Sequence, residues 1–461
     1  KHYQSMKNLL FSLSLLLLSF GASAQLSPAI TSWLQNTTET GSYYIEGNST
    51  PIGTGVLVNT QLVEYSDDFV YIHATGIPAY PTGPFLDGNP SNAEAQNVIF
   101  KYPLDPQPNT GVPDGATGGN IGSFVNGVAL FDFRDGTGWN PATGALCGGP
   151  GNPPCPGPPM ELQDWNRDAI PAEMEGFDCS KAHPAMGNYH HHQNPSAFKL
   201  DLVVVSNICN LYDADGLYAI DENAHSPLIG FAYDGYPIYG AYAYANADGS
   251  GGITRIKSGY SQRAITVRTH HADGTDVSDG PPVDGTYPIG YFREDYEFIS
   301  NPAEDYLDEH NGRFSITPEY PSGTYAYYAT VDQNWNSFYP YAVGPTFYGN
   351  VENRIVTSVN EPTTIYDSNL GVTETQINTT NITVFPNPSA DLIAIQLGHL
   401  NVEDLKVTLL DINGKLIMET TIKKGATIAY FDVEAVYEGA YFVRISGNKK
   451  TITKKVIVKK E

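Results

Sequence analysis

Helical spacing is scarce in this chain, and turn-forming residues interrupt it throughout. Short apolar runs such as Gln61–Tyr65, Phe69–His73, Phe124–Phe131 and Leu200–Ser206 stand between clusters of turn residues, which is the pattern of strands joined by turns. The 45 glycines and 33 prolines supply the breaks. Proline removes a backbone donor and clashes inside a helix, and glycine carries a large entropy cost there. The expected fold is therefore all-β: a large, loop-rich, β-sandwich-like domain over 25–360, a polar linker over 361–380, and a small β-sandwich over 381–461. Long Pro/Gly loops near 80–95, 103–120 and 140–160 interrupt the large domain, and loops of that length are usually functional.

Residues 1–24 read as a few upstream residues followed by a signal peptide. Lys7 supplies a positive start, a leucine-rich run follows, and Ala22-Ser-Ala24 is a small-residue cleavage site, placing the mature start at Gln25. No other apolar run approaches the length of a bilayer span, so the expectation is a secreted protein. The net charge is −25, yet residues from 381 onward carry 11 basic and 9 acidic side chains. The acidic excess thus lies in the larger domain and argues against nucleic acid or an anionic membrane as partner. Such charge keeps a secreted protein soluble, and calcium is a second use for it. Asp213-Ala-Asp215-Gly and Asp248-Gly-Ser-Gly-Gly are only fragments of a calcium loop, without the twelve-residue pattern and its closing glutamate.

Four cysteines in an exported chain predict two disulfides. Three pairings are possible. The Cys147–Cys155 segment reads as a self-closed loop, which leaves Cys179 for Cys209. The rival assignment makes Cys179 a thiolate metal ligand beside His183.

Between Cys179 and His192 lie four of the eleven histidines: His183, His190, His191 and His192. On an extended strand successive side chains alternate faces, so His190 and His192 point one way and His191 the other. A His-x-His pair offers two imidazole nitrogens to one ion, and imidazole is the commonest protein metal ligand. With His225 and His310 the candidate metal ligands are His183, His190, His192, His225 and His310. Asp234, Glu309 and His310 are the candidate catalytic groups, as general base or partner of a ligand. Three nitrogens with an open position suit zinc as a water activator, and histidine–tyrosine surroundings suit copper. His270-His271 reads as an exposed loop. The tryptophans Trp33, Trp139, Trp165 and Trp335 are candidates for a sugar-stacking surface or for core. No Gly-x-Ser-x-Gly elbow, phosphate loop, dinucleotide fingerprint or His-Glu-x-x-His helix is visible.

Two resemblances organise these segments. Tyr189-His190-His191-His192, Ala182-His183-Pro184, His225-Ser-Pro, Asp234-Gly-Tyr-Pro-Ile-Tyr-Gly, Asn126-Gly-Val and Leu307-Asp-Glu-His-Asn-Gly-Arg resemble the bacterial YHYH domain family over about residues 65–350. Here His191 stands where the signature has its second tyrosine, and Tyr325-Ala-Tyr327 lacks a histidine often found there. Phe385-Pro-Asn-Pro-Ser, Leu410-Asp-Ile-Asn-Gly-Lys, Glu438-Gly-Ala-Tyr-Phe-Val-Arg-Ile and the basic end resemble the type A sorting domain of the type IX secretion system of Bacteroidota. That resemblance implies passage through the periplasm, handling by the type IX machinery, and release or attachment at the cell surface. The leading expectation is a secreted metal-dependent hydrolase acting on an unidentified substrate, carbohydrate among the candidates. Copper-dependent oxidation and a non-catalytic carbohydrate- or metal-binding surface protein are the alternatives.

Overall fold

The computed structural model describes residues 26–86, 92–149, 151–157, 162–197, 209, 216–352, 354–367, 382–397, 404–412, 414–424, 426–446 and 451–460. The signal peptide, the Leu200–Ser206 run and the Asp213-Ala-Asp215 fragment lie outside the described residues.

Two compact units divide at Asp367/Ser368. The first is built on two main sheets. A five-stranded antiparallel sheet runs in the order Ile355–Val356, Val98–Pro103, Phe69–Ala74, Thr60–Tyr65, Thr364–Tyr366. The last strand falls inside the stretch read as linker: it pairs Tyr366 with Val63 and so belongs to the first unit. The second sheet is eight-stranded, in the order Ala182–Ala185, Asn188–His191, Ala129–Phe131, Asn120–Phe124, Leu228–Ala232, Pro237–Tyr239, Thr324–Tyr328, Gly312–Ser315. One core joins the sheets: Val63, Val70, Ile72 and Phe100 from the first meet Ile121, Leu130, Phe231, Ile238 and Tyr327 from the second. Two sheets burying their inner faces against each other make the sandwich expected of this all-β chain. Tyr102 and Ser123 add a buried hydroxyl–hydroxyl hydrogen bond of 2.6 Å between them.

Phe124–Phe131, read above as a single strand, is instead a hairpin. Asn126-Gly127 turns the chain between Asn120–Phe124 and Ala129–Phe131, with Gly127 at φ 74°. A Cβ there would lie 2.5 Å from that of Ala74, so both the conformation and the close approach require glycine.

Loops are fixed by buried polar groups. Arg268 makes a two-point ion pair with Asp295, both side chains fully buried, and its other hydrogens go to the carbonyls of Pro281, Pro282, Tyr287 and Pro288. Both disulfides pair as the self-closed loop suggests: Cys147 with Cys155 and Cys179 with Cys209. Cys179 is therefore no thiolate ligand. Three of the tryptophans, Trp33, Trp139 and Trp165, are buried, and half-buried Trp335 donates its indole N–H to Tyr242, so they form core and rim.

The second unit is a small sandwich of a three-stranded sheet (Ile382–Phe385, Leu392–Leu397, Ile428–Asp432) and a four-stranded sheet (Leu416–Ile422, Leu405–Leu410, Gly439–Ser446, Thr451–Val458). Period-two burial aims Ala429 and Phe431 from one sheet and Val443 and Ile445 from the other into a common core. No helix among the described residues is long and apolar enough to cross a membrane.

Candidate metal centre

The edge of the eight-stranded sheet is a hairpin made from Ala182–Ala185 and Asn188–His191. Its two-residue turn, Met186-Gly187, has both φ angles positive, at 49° and 84°. That geometry matches the right-handed twist of the flanking strands. The short turn sets the register: His183 lies directly opposite His190. Directly paired residues on an antiparallel ladder share a face. His192, one residue past the strand, returns to that face by alternation. The inner strand is held to the sheet by parallel pairing of His190 with Ala129 and His191 with Leu130.

The three rings converge. Potential ligand atoms of His183, His190 and His192 all lie within 4.8 Å of one another, and the residues are 7%, 2% and 4% exposed. Local hydrogen bonds assign two of the protons. His190 Nδ1 is 2.8 Å from the Asn188 carbonyl, and His192 Nδ1 is 2.5 Å from the Asp132 carbonyl. A carbonyl only accepts, so both Nδ1 atoms carry hydrogen and both Nε2 atoms of the neutral rings expose lone pairs. Those two Nε2 atoms stand 3.1 Å apart. Neither nitrogen of His183 has a hydrogen-bond partner among the described residues. The rings are wedged: Phe131 stacks on His190 at 3.9 Å, and Phe177 meets His183 edge-on at 4.9 Å.

Relief of this lone-pair crowding by a proton is opposed by the surroundings. Burial, reinforced by the neighbouring imidazoles, draws His183 down to about 3 and His190 well below the usual histidine range. Burial lowers His192 as well, although its bond to Asp132 works the other way. Burial thus favours neutral imidazoles, the form that binds metal, against the pull of the carboxylate beside two of the rings.

A fourth donor escaped sequence reasoning. Glu173 Oε2 lies 3.3 Å from Nε2 of His183 and 3.3 Å from Nε2 of His192. Glu173 ends the short helix Ala169–Glu173, whose N-terminus is capped by Asp168 through a 2.9 Å bond from the Ile170 N–H. No spacing rule ties a helix-end glutamate to a hairpin ten residues on; only its proximity in the chain to His183 hinted at it.

The other predicted residues are elsewhere. Neither His225 nor His310 joins the group among the described residues. His225 donates Nδ1–H to the carbonyl of Ser226 at 2.7 Å and packs between Tyr239 and Tyr244. His310 Nδ1 bonds the Thr346 hydroxyl at 2.7 Å. Asp234 is fully buried in the turn before Pro237. It accepts from the Tyr327 hydroxyl at 2.5 Å and from the Gly349 N–H at 2.9 Å, and burial raises it to about 6. Glu309 is exposed, and its backbone carbonyl accepts from the Tyr260 hydroxyl. Asp234, Glu309 and His310 thus do not join the three histidines, and the carboxylate beside them is that of Glu173. Asp248 accepts from the Ser250 N–H in an exposed turn, the ordinary work of an aspartate there.

The class defined by fold and site is an exported, disulfide-bonded β-sandwich with a buried histidine cluster at a sheet edge. The YHYH protein family matches residues 99–339, and the chain belongs to that family. The secretion system C-terminal sorting domain matches residues 383–459, so the protein is type IX cargo and is secreted or held at the cell surface. No curated protein matches the chain. Among solved structures, a DUF3244 family protein with an immunoglobulin-like β-sandwich fold from Bacteroides vulgatus is 18% identical, with 17% of this chain and 82% of that one covered, at a TM-score of 0.15.

Proposed function

We propose that this exported protein is metal-dependent and holds a divalent transition ion, zinc or copper, on His183, His190 and His192. One observation carries the reading: two Nε2 lone pairs, each assigned by a carbonyl-bound Nδ1–H, face each other at 3.1 Å in a buried setting that disfavours protonation. Converging lone pairs without a proton repel, and a cation between them removes that cost.

Hydrolysis is the chemistry we place first. Three imidazoles leave room for a bound water, whose pKa an ion such as zinc lowers to about 7. Glu173, whose Oε2 lies 3.3 Å from Nε2 of His183 and of His192, would stand beside the ion. The burial of all three histidines favours a second reading, a non-catalytic extracellular protein that sequesters metal. Elemental analysis of the purified mature protein tests the proposal. About one transition ion per chain, lost in His190→Ala/His192→Ala, is expected. A protein that purifies without metal and gains none on incubation with zinc or copper overturns it. Loss of metal without loss of a measured hydrolytic activity selects the non-catalytic reading.

A further inference from the structure

Resting on that metal reading, the geometry points to Glu173 as a fourth and displaceable ligand, so that the resting ion is coordinatively closed and opens only when Glu173 leaves it. Four tetrahedral donors with bonds of about 2.1 Å lie roughly 3.4 Å from one another. The separations here are 3.1 Å for His190 to His192, 3.3 Å for His192 to Glu173 and 3.3 Å for Glu173 to His183. They form an unbroken path through all four atoms, three of the six edges of a tetrahedron each close to the ideal length, and the three histidine atoms stay within 4.8 Å of one another.

The donors differ in how firmly they are held. The Nδ1–H groups of His190 and His192 are pinned to the Asn188 and Asp132 carbonyls, and Phe131 and Phe177 wedge the rings. Glu173 sits at the last residue of a helix of five residues, and its side chain is 21% exposed, against 9% for His183 and 3% for His192. Its Oε2 is buried against the histidines, while the rest of the side chain meets solvent. Displacement would free one coordination position for water and leave a carboxylate beside it, placed to take the water's proton. Closed and open sites then differ by one side-chain movement, with the three imidazoles unmoved.

Cobalt(II) substitution of the full mature protein tests this, since its visible spectrum reports coordination number. Glu173→Gln keeps the shape of the side chain and removes its charge; Glu173→Asp keeps the charge and shortens the reach. Both are expected to retain one ion per chain, to bind it at least tenfold more weakly, and to change the cobalt spectrum. Azide should bind the Glu173→Gln cobalt form more tightly than the wild type. Unchanged spectra and affinities in both variants overturn the role of Glu173 while leaving the three-histidine reading intact. A wild type that binds no cobalt or zinc overturns both.

Discussion

The two faces of one hairpin use the same residue type for opposite ends. On the inner-sandwich side His191 is fully buried and fully satisfied: Nδ1–H donates to the Lys181 carbonyl at 3.2 Å, and Nε2 accepts from the Tyr80 hydroxyl at 3.0 Å. Beside it, Tyr189 donates to Asp178 at 2.7 Å, and that carboxylate also accepts from the N–H groups of Gly83 and Ser180. On the other face His190 and His192 spend one nitrogen each on a carbonyl and turn the other toward a common point, where His183 adds a ring with no hydrogen bond among the described residues and Glu173 Oε2 3.3 Å from its Nε2. Burial is equal on both faces, so it does not mark a ligand. The mark is an accounting surplus: the Nε2 lone pairs of His190 and His192 and the Glu173 oxygen converge as acceptors with at most the one N–H of His183 among them.

The comparison can be broken by exchanging damage between the faces. His190→Ala/His192→Ala should remove all bound metal, read by elemental analysis, while circular dichroism still shows a folded β protein. His191→Ala should do the reverse: one ion per chain retained, and stability lowered by about 3–5 kcal/mol in denaturant titration, from the cavity and the stranded Tyr80 and Lys181 groups. Acid sharpens the same contrast. Burial draws His191 to about 3, below the 6.5 of the unfolded chain. Between those values the unfolded state binds the extra proton, so stability rises with pH, is fully present above about 6.5 and is lost as pH falls toward 3. The metal-free wild type should therefore lose stability relative to metal-free His191→Gln over that window; parallel curves would sink the assignment. Tyr80→Phe, which leaves one ring nitrogen unpaired, should cost about 1–3 kcal/mol by the same titration and no metal. Smallest of all, His225→Gln and His310→Gln should leave the metal content at the wild-type value.

The His-x-His pair was legible because strand alternation is a local rule that survives the histidine at 191. The disulfide pairing was legible from a self-closed loop, and the small terminal sandwich from period-two patterning. The rest depended on contacts that no local rule encodes. Glu173 reaches the triad through a helix end whose direction is set by the cap at Asp168. Asp234 and His310 looked catalytic by residue type, yet their polar atoms bind Tyr327, Gly349 and Thr346. Asn126-Gly127 was a visible turn signal hidden inside an apolar run, and only the close approach of Gly127 to Ala74 shows why it bends there.

All four donors fall between residues 173 and 192, on a helix end and the two arms of one hairpin. An ion joining them closes only short stretches of backbone, and the entropy of closing a loop grows with its length. The centre therefore draws its donors from one short stretch and its support from the neighbouring strand, where Phe131 and the Asp132 carbonyl hold His190 and His192, so moving it to another sheet edge means moving both pieces together.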